Sequence, residues 1–135
     1  MFNFEDGEVI LIDKPLDWTS FDTVNFIRSL VNRCYGIRKL KVGHAGTLDP
    51  LATGLLILCT GKMTKQIDTF QAQVKTYTGT ILLGQTTPTF DFESEPDAFY
   101  PTDSITPEQI EAARLQFLGD LKQYPPKYSA IKIKG

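Results

Sequence analysis

One carboxylate, Asp49, stands in the stretch Gly43-His44-Ala45-Gly46-Thr47-Leu48-Asp49-Pro50-Leu51-Ala52-Thr53-Gly54, just after the only histidine of the chain, His44. Gly43, Gly46 and Gly54 permit tight or left-handed turns and let backbone come close to a ligand. Functional side chains favour such loops when rigid elements hold them. A histidine exposed beside the acid could hydrogen-bond a base or a phosphate. Asp before Pro is also a common turn starter, its side chain bonding nearby backbone. Composition by itself leaves two readings of Asp49 standing, a turn and a carboxylate site.

Other chemistries are harder to build from these residues. One His and two distant Cys cannot make an ordinary zinc site. "GLLILCTGKM" is a poor phosphate loop, because six apolar or small residues separate Gly54 from Gly61 and Met63 follows Lys62 where Ser or Thr is needed. No G-x-G-x-x-G follows the first predicted strand, and no serine elbow is present. What remains is chemistry carried by a carboxylate.

The 135 residues are enough for one domain with a real core, and 41% hydrophobic against 22% charged is ordinary for a globular chain. The longest apolar run, Leu55 to Cys59, is far too short to span a membrane. The acidic start "MFNFEDGEV" lacks a signal-peptide pattern. Cys34 and Cys59 read as core thiols rather than a disulfide framework. Together these features point to the cytoplasm. The net charge of −2 argues against a general nucleic-acid coat. Its distribution is uneven, however. Thr23 to Thr80 carries Arg28, Arg33, Arg38, Lys39, Lys41, Lys62, Lys65 and Lys75 against only Asp49 and Asp68. Such a region could attract phosphates, or could be a set of solvated helix faces.

The elements that must position Asp49 follow from periodicity. "EVILID" (8–13) predicts an early buried strand ended by Lys14-Pro15. Ser20 is expected to cap a helix with an apolar face of Phe21, Val24, Ile27, Val31 and Cys34, stopped by Gly36. "GLLILCTG" suits a central strand, and "KMTKQIDTF" a short helix. "VKTYTGTILLG", rich in β-branched residues, predicts a strand with Tyr77, Ile81 and Leu83 on one face. Residues 85–103 read as a long loop. Thr106, Pro107 and Gln109 open a second helix with an inner face of Ile110, Ala113, Phe117 and Leu121. "YSAIKIKG" reads as a half-exposed final strand. The expected class is α+β, a mixed and largely antiparallel sheet with flanking helices. A chain ending on a strand wants a neighbour, so a truncated domain is expected.

"GHAGTLDPLATGLL" resembles the catalytic motif of the TruB family of tRNA pseudouridine synthases, in a form closer to the stand-alone bacterial enzymes than to the dyskerin branch. "ILIDKPLDWTSFD" resembles the family's early Lys-Pro, Thr-Ser motif, and "GKMTK" its short basic segment. "VKTYTGTILLGQTTPTFDFE" is similar to its tyrosine strand and threonine-rich loop, and "YPPKYSAIKIKG" to a later stretch. The resemblance implies the family's catalytic-domain fold and isomerisation of uridine to pseudouridine at position 55 of the tRNA T-loop. It makes Asp49 the catalytic acid, and Tyr77 the ring that stacks on the flipped base and assists a proton transfer. His44 would contact the RNA beside the extruded nucleotide, and Asp91 would join the active-site network. Gly43, Thr47 and Lys14 complete the set expected on the substrate side, with Lys14-Pro15 in a motif that mainly buttresses the loop. A hidden target carbon requires base flipping, and a tyrosine face suits a splayed base. The implied partner is tRNA through its T-stem-loop, with no protein partner and no metal, nucleotide or redox cofactor. The competing reading is a non-catalytic RNA-binding or assembly piece.

The family's domain continues beyond the motifs present here, adding an arginine that pairs with the catalytic aspartate and, usually, a PUA-type RNA-binding domain. Residues 1–135 by themselves are therefore expected to be inactive or nearly so in a tritium-release assay on unmodified tRNA transcript.

Overall fold

The computed structural model describes residues 2–122. The chain divides into two compact units, Met1–Tyr77 and Thr78–Gly135. The predicted strand at 128–135 and the motif "YPPKYSAIKIKG" lie outside the described residues.

The first unit is built on a three-stranded antiparallel sheet. Strand β1 (Val9–Lys14) and strand β2 (Val42–Ala45) flank the central strand β3 (Gly54–Thr60). In β3, Leu56, Leu58, Cys59 and Thr60 are buried, whereas Leu55 near its start is exposed. The register pairs Ile10 with Leu58, Ile12 with Leu56 and His44 with Leu58. Alternation then places Ile10, Ile12, Leu56, Leu58 and Val42 on one face. Helix α1 (Ser20–Tyr35) covers this face, and Val24, Ile27 and Val31 complete a core with Phe4 and Leu40. β1 is only half buried: Val9, Leu11 and Asp13 lie on the uncovered side. The expectation of a fully buried first strand is corrected, because β1 is an edge strand with one face packed.

Helix α1 also corrects the sequence reading. Its cap is Thr19, not Ser20. Thr19 Oγ accepts from the Asp22 amide at 3.0 Å, and the Asp22 carboxylate accepts from the Thr19 amide at 2.9 Å. Only Thr19 has an acid three residues on, which is the reciprocal arrangement of a capping box. The buried stripe is Ser20, Thr23, Val24, Ile27 and Val31. Phe21 and Cys34 are exposed, whereas Cys59 is fully buried in β3. The stripe turns toward Ser20 and Thr23 because small hydroxyl residues can lie against backbone and satisfy it, which Phe21 cannot. Gly36 ends the helix in the left-handed region and donates its amide to the Asn32 carbonyl, as expected.

After β3 the chain tightens into a 3-10 turn (Gly61–Gln66) and helix α2 (Ile67–Gln71), matching the predicted short helix. At Gly61 (φ +51) a Cβ would sit 2.1 Å from the Glu5 carbonyl oxygen. Only glycine lets the N-terminal segment cross the end of β3 there.

In the second unit, residues 85–103 are not wholly irregular: strands β4 (Gln85–Thr86) and β5 (Ala98–Phe99) pair antiparallel across the loop. Residues 74–84 form no strand. Their β-branched composition favours a pleated surface, but a strand exists only as a member of a ladder, and among the described residues none pairs with them. Helix α3 (Pro107–Leu115) opens as predicted, with Thr106 as cap and Gln109 returning a bond to the Thr106 amide. Its expected inner face is exposed, and Phe117 and Leu121 fall beyond its end. The α+β class holds, and every ladder among the described residues is antiparallel.

The Thr19 hydroxyl and then the Thr19 amide hold the Asp22 carboxyl below its ordinary pKa. A carboxylate depressed in the folded state stabilises above its unfolded value, and the contribution is lost as pH falls through the folded value. Thr19→Ala is expected to cost about 1 kcal/mol for the lost cap in urea unfolding at neutral pH. The gap to the parent protein is expected to narrow as pH is lowered into the acid range.

Candidate active site

The Asp49 loop leaves β2 at Ala45 and returns to β3 at Gly54, so its two ends are neighbours in one sheet. Gly46 (φ +96) makes the first bend. Backbone on either side of Asp49 is then fixed from outside the loop. Ser20 Oγ accepts from the Leu48 amide at 2.9 Å and donates to the Leu48 carbonyl at 3.1 Å. The Pro50 carbonyl accepts from the Asp17 amide at 2.9 Å and lies 3.4 Å from Lys14 Nζ. The Asp49 carbonyl accepts from the Ala52 amide at 3.0 Å, closing a turn. The Asp49 side chain is exposed, and no group among the described residues bonds its carboxyl. A rigid backbone therefore carries a free acid.

Lys14 shows how the loop is seated. Its side chain is fully buried, and Nζ donates to the carbonyls of Pro15 at 2.9 Å and Trp18 at 2.6 Å as well as reaching Pro50. Lys14 stands among the substrate-side residues in a motif expected mainly to buttress the loop; an ammonium taken out of water must find acceptors, and here it finds them in backbone. Lys14 positions the loop. Gathering these carbonyls turns the chain sharply after β1, with Asp17 in the left-handed region at φ 64. Asp tolerates that conformation better than most residues.

His44 is half-buried rather than exposed, and its Nδ1 lies 2.6 Å from the Gly46 carbonyl. A carbonyl only accepts, so Nδ1 carries the proton and Nε2 is the ring's remaining polar atom. Gly43 meets α2, where a Cβ would lie 2.7 Å from Ile67 Cδ1. Its smallness is used for packing. Thr47 is exposed beside Asp49. Tyr77 is 71% exposed at the end of the first unit, on irregular chain rather than the predicted strand. Lys14, Gly43, His44, Thr47 and Asp49 thus belong to one loop-and-sheet assembly.

Asp91 belongs to the second unit. Its carboxylate accepts from Thr89 Oγ at 2.6 Å and from the Glu93 amide at 2.9 Å, which hold its pKa below the ordinary value. It caps a local turn. Ile81, Leu82, Phe90 and Asp91 are among the residues lining a cavity of about 370 Å³ there.

Sequence reasoning missed Ser20 and Asp17 as supports of the loop. Ser20 had been assigned to the helix cap. The signal was Asp22, which favours Thr19 as cap and frees the Ser20 hydroxyl. Among the described residues no three His, Cys, Asp or Glu side chains cluster closely enough to hold a metal ion. Of the basic residues, Arg28 bonds the Val42 carbonyl, Lys62 pairs with Asp6, and Lys75 bonds the Gln71 and Gln73 carbonyls. Arg33, Arg38, Lys39, Lys41 and Lys65 are exposed with no ion pair among the described residues.

Lys14→Met keeps the bulk of the side chain and removes its donor. It is expected to cost about 1–3 kcal/mol in urea unfolding, because the partly buried carbonyls of Pro15, Trp18 and Pro50 lose a partner.

Known proteins resemble the chain over most of its length. The family model described as "TruB family pseudouridylate synthase (N terminal domain)" matches residues 32–135. Proteins named tRNA pseudouridine synthase B from Phocaeicola vulgatus and Parabacteroides distasonis are 56% and 53% identical over 133 residues, 98% of this chain. One of the same name from Chlorobium luteolum is 49% identical over 131 residues. The chain spans 57% of the length of the first two relatives and 45% of the third. Asp49 falls inside the family match, which begins at residue 32, and the chain belongs to the TruB family of pseudouridylate synthases.

Proposed function

We infer that this chain carries the catalytic loop of a tRNA uridine-to-pseudouridine isomerase, with Asp49 as the essential acid. The observation that supports this most directly is an exposed carboxyl on a loop whose backbone is bonded from both sides. Preorganisation of that kind serves a group that must meet a reacting atom in one geometry. A plain turn would use the carboxyl for its own backbone, as Asp91 does.

In the reaction the bond from ribose to uracil nitrogen breaks, the ring turns, and the sugar rejoins it through carbon. The hydrogen of that carbon leaves as a proton, and the freed nitrogen takes one up. The uridine must leave its stack to present that carbon. Asp49 would promote the cleavage and rejoining. Tyr77, with its ring exposed, would offer a face for the extruded base; such stacking is typically worth about 1–3 kcal/mol. His44, its Nδ1 occupied, would meet RNA through Nε2, and Thr47 lies on the same loop. The exposed cations at 33–41 would hold phosphates without reading sequence. By resemblance the substrate is the T-stem-loop of tRNA, at the uridine of position 55.

In the full-length protein, Asp49→Asn is expected to reduce pseudouridine formation to background while tRNA affinity stays within about twofold of the parent. Tritium release and filter binding on the same transcript check this. Loss of binding together with modification would instead make Asp49 a structural residue and favour a non-catalytic RNA-binding role.

A further inference from the structure

We propose that Ser20 is a positioning residue for Asp49: by bonding both backbone groups of Leu48, its hydroxyl fixes the peptide plane from which the catalytic acid hangs. The proposal rests on the reading of Asp49 given above.

The Ser20 hydroxyl is not needed by its own helix, since Thr19 and Asp22 supply the cap. Ser20 is 2% exposed, so no bulk water competes for its bonds. Its oxygen accepts from the Leu48 amide at 2.9 Å, and its proton goes to the Leu48 carbonyl at 3.1 Å. That carbonyl belongs to the peptide joining Leu48 to Asp49. Rotating this plane changes the Asp49 φ angle and swings the carboxyl, and productive geometry tolerates only about 0.5 Å or 10–20°. The other side of Asp49 is anchored separately, through the Pro50 carbonyl. Losing the Ser20 bonds would therefore leave a loop held at Pro50 and free to pivot at Leu48. Helix α1 reaches the core independently through Val24, Ile27 and Val31, so the fold does not hang on this hydroxyl.

The test uses the full-length protein and an unmodified tRNA transcript, measuring single-turnover tritium release, tRNA affinity and thermal unfolding for Ser20→Ala and Ser20→Thr. Expected for Ser20→Ala is a single-turnover rate lowered by about 10²-fold with affinity within about twofold, while Ser20→Thr, which keeps the hydroxyl, recovers most of the rate. A rate equal to the parent's for Ser20→Ala at a temperature where both are folded would overturn the proposal. So would a parallel fall in rate and affinity, or a Ser20→Thr variant as slow as Ser20→Ala. If Ser20→Ala does not fold, Ser20→Cys, similar in size but a weak hydrogen-bonding group, takes its place with the same outcomes. Asp49→Asn run alongside separates the two readings. An active Asp49→Asn defeats the catalytic assignment itself, whereas an inert Asp49→Asn beside a fully active Ser20→Ala defeats only the role of Ser20.

Discussion

The first unit is organised around a buried ammonium group. Lys14 Nζ lies at the end of β1, and its bonds go to the carbonyls of Pro15 and Trp18, with Pro50 reaching it from the far side of the Asp49 loop. Removing such a charge from solvent costs several kcal/mol, so the buried state is viable only where acceptors converge. That requirement dictates the tight turn at 15–18 and brings the loop against it. The same turn delivers the Asp17 amide to Pro50 and leads directly into the cap of α1, and α1 in turn presents Ser20 to Leu48.

A consequence is that rigidity and exposure are separated within a few residues. Backbone at Leu48 and Pro50 is bonded to elements distant in sequence, whereas the carboxyl of Asp49 between them is left open. Asp91 shows the contrasting case, an acid whose oxygens close its own turn. Two carboxylates of equal intrinsic strength thus have different environments because one sits in a loop held by others and the second must hold itself.

The charge pattern follows the same division. The first unit is close to neutral, nine Lys and Arg against eight Asp and Glu, but six of those acids precede Thr23 and all the cations except Lys14 follow it. Some of its cations are spent internally: Lys14 on carbonyls, Arg28 on the edge of β2, Lys62 on Asp6. The cations at 33–41 remain at the surface. In the proposed function these cations would meet the phosphates of RNA.

Local signals were sufficient for much of this fold. The stop at Gly36 and the cap-proline-glutamine start of α3 each involve residues within a few positions of one another, and the apolar run of β3 marks a segment suited to a buried strand once its partners arrive. The acid-bearing loop was likewise evident from its glycines and its family motif. Tertiary structure alone decided the rest. Whether 74–84 becomes a strand depends on a partner ladder, not on its β-branched content. Whether Ser20 caps a helix or clamps a loop depends on Leu48, which lies 28 residues away. Whether Lys14 meets solvent or backbone depends on where Pro50, 36 residues on, comes to rest. The sequence by itself determined which residues prefer which local geometry. It left open which hydrogen-bonding groups would meet, because buried donors and acceptors are matched only when distant segments have been brought together.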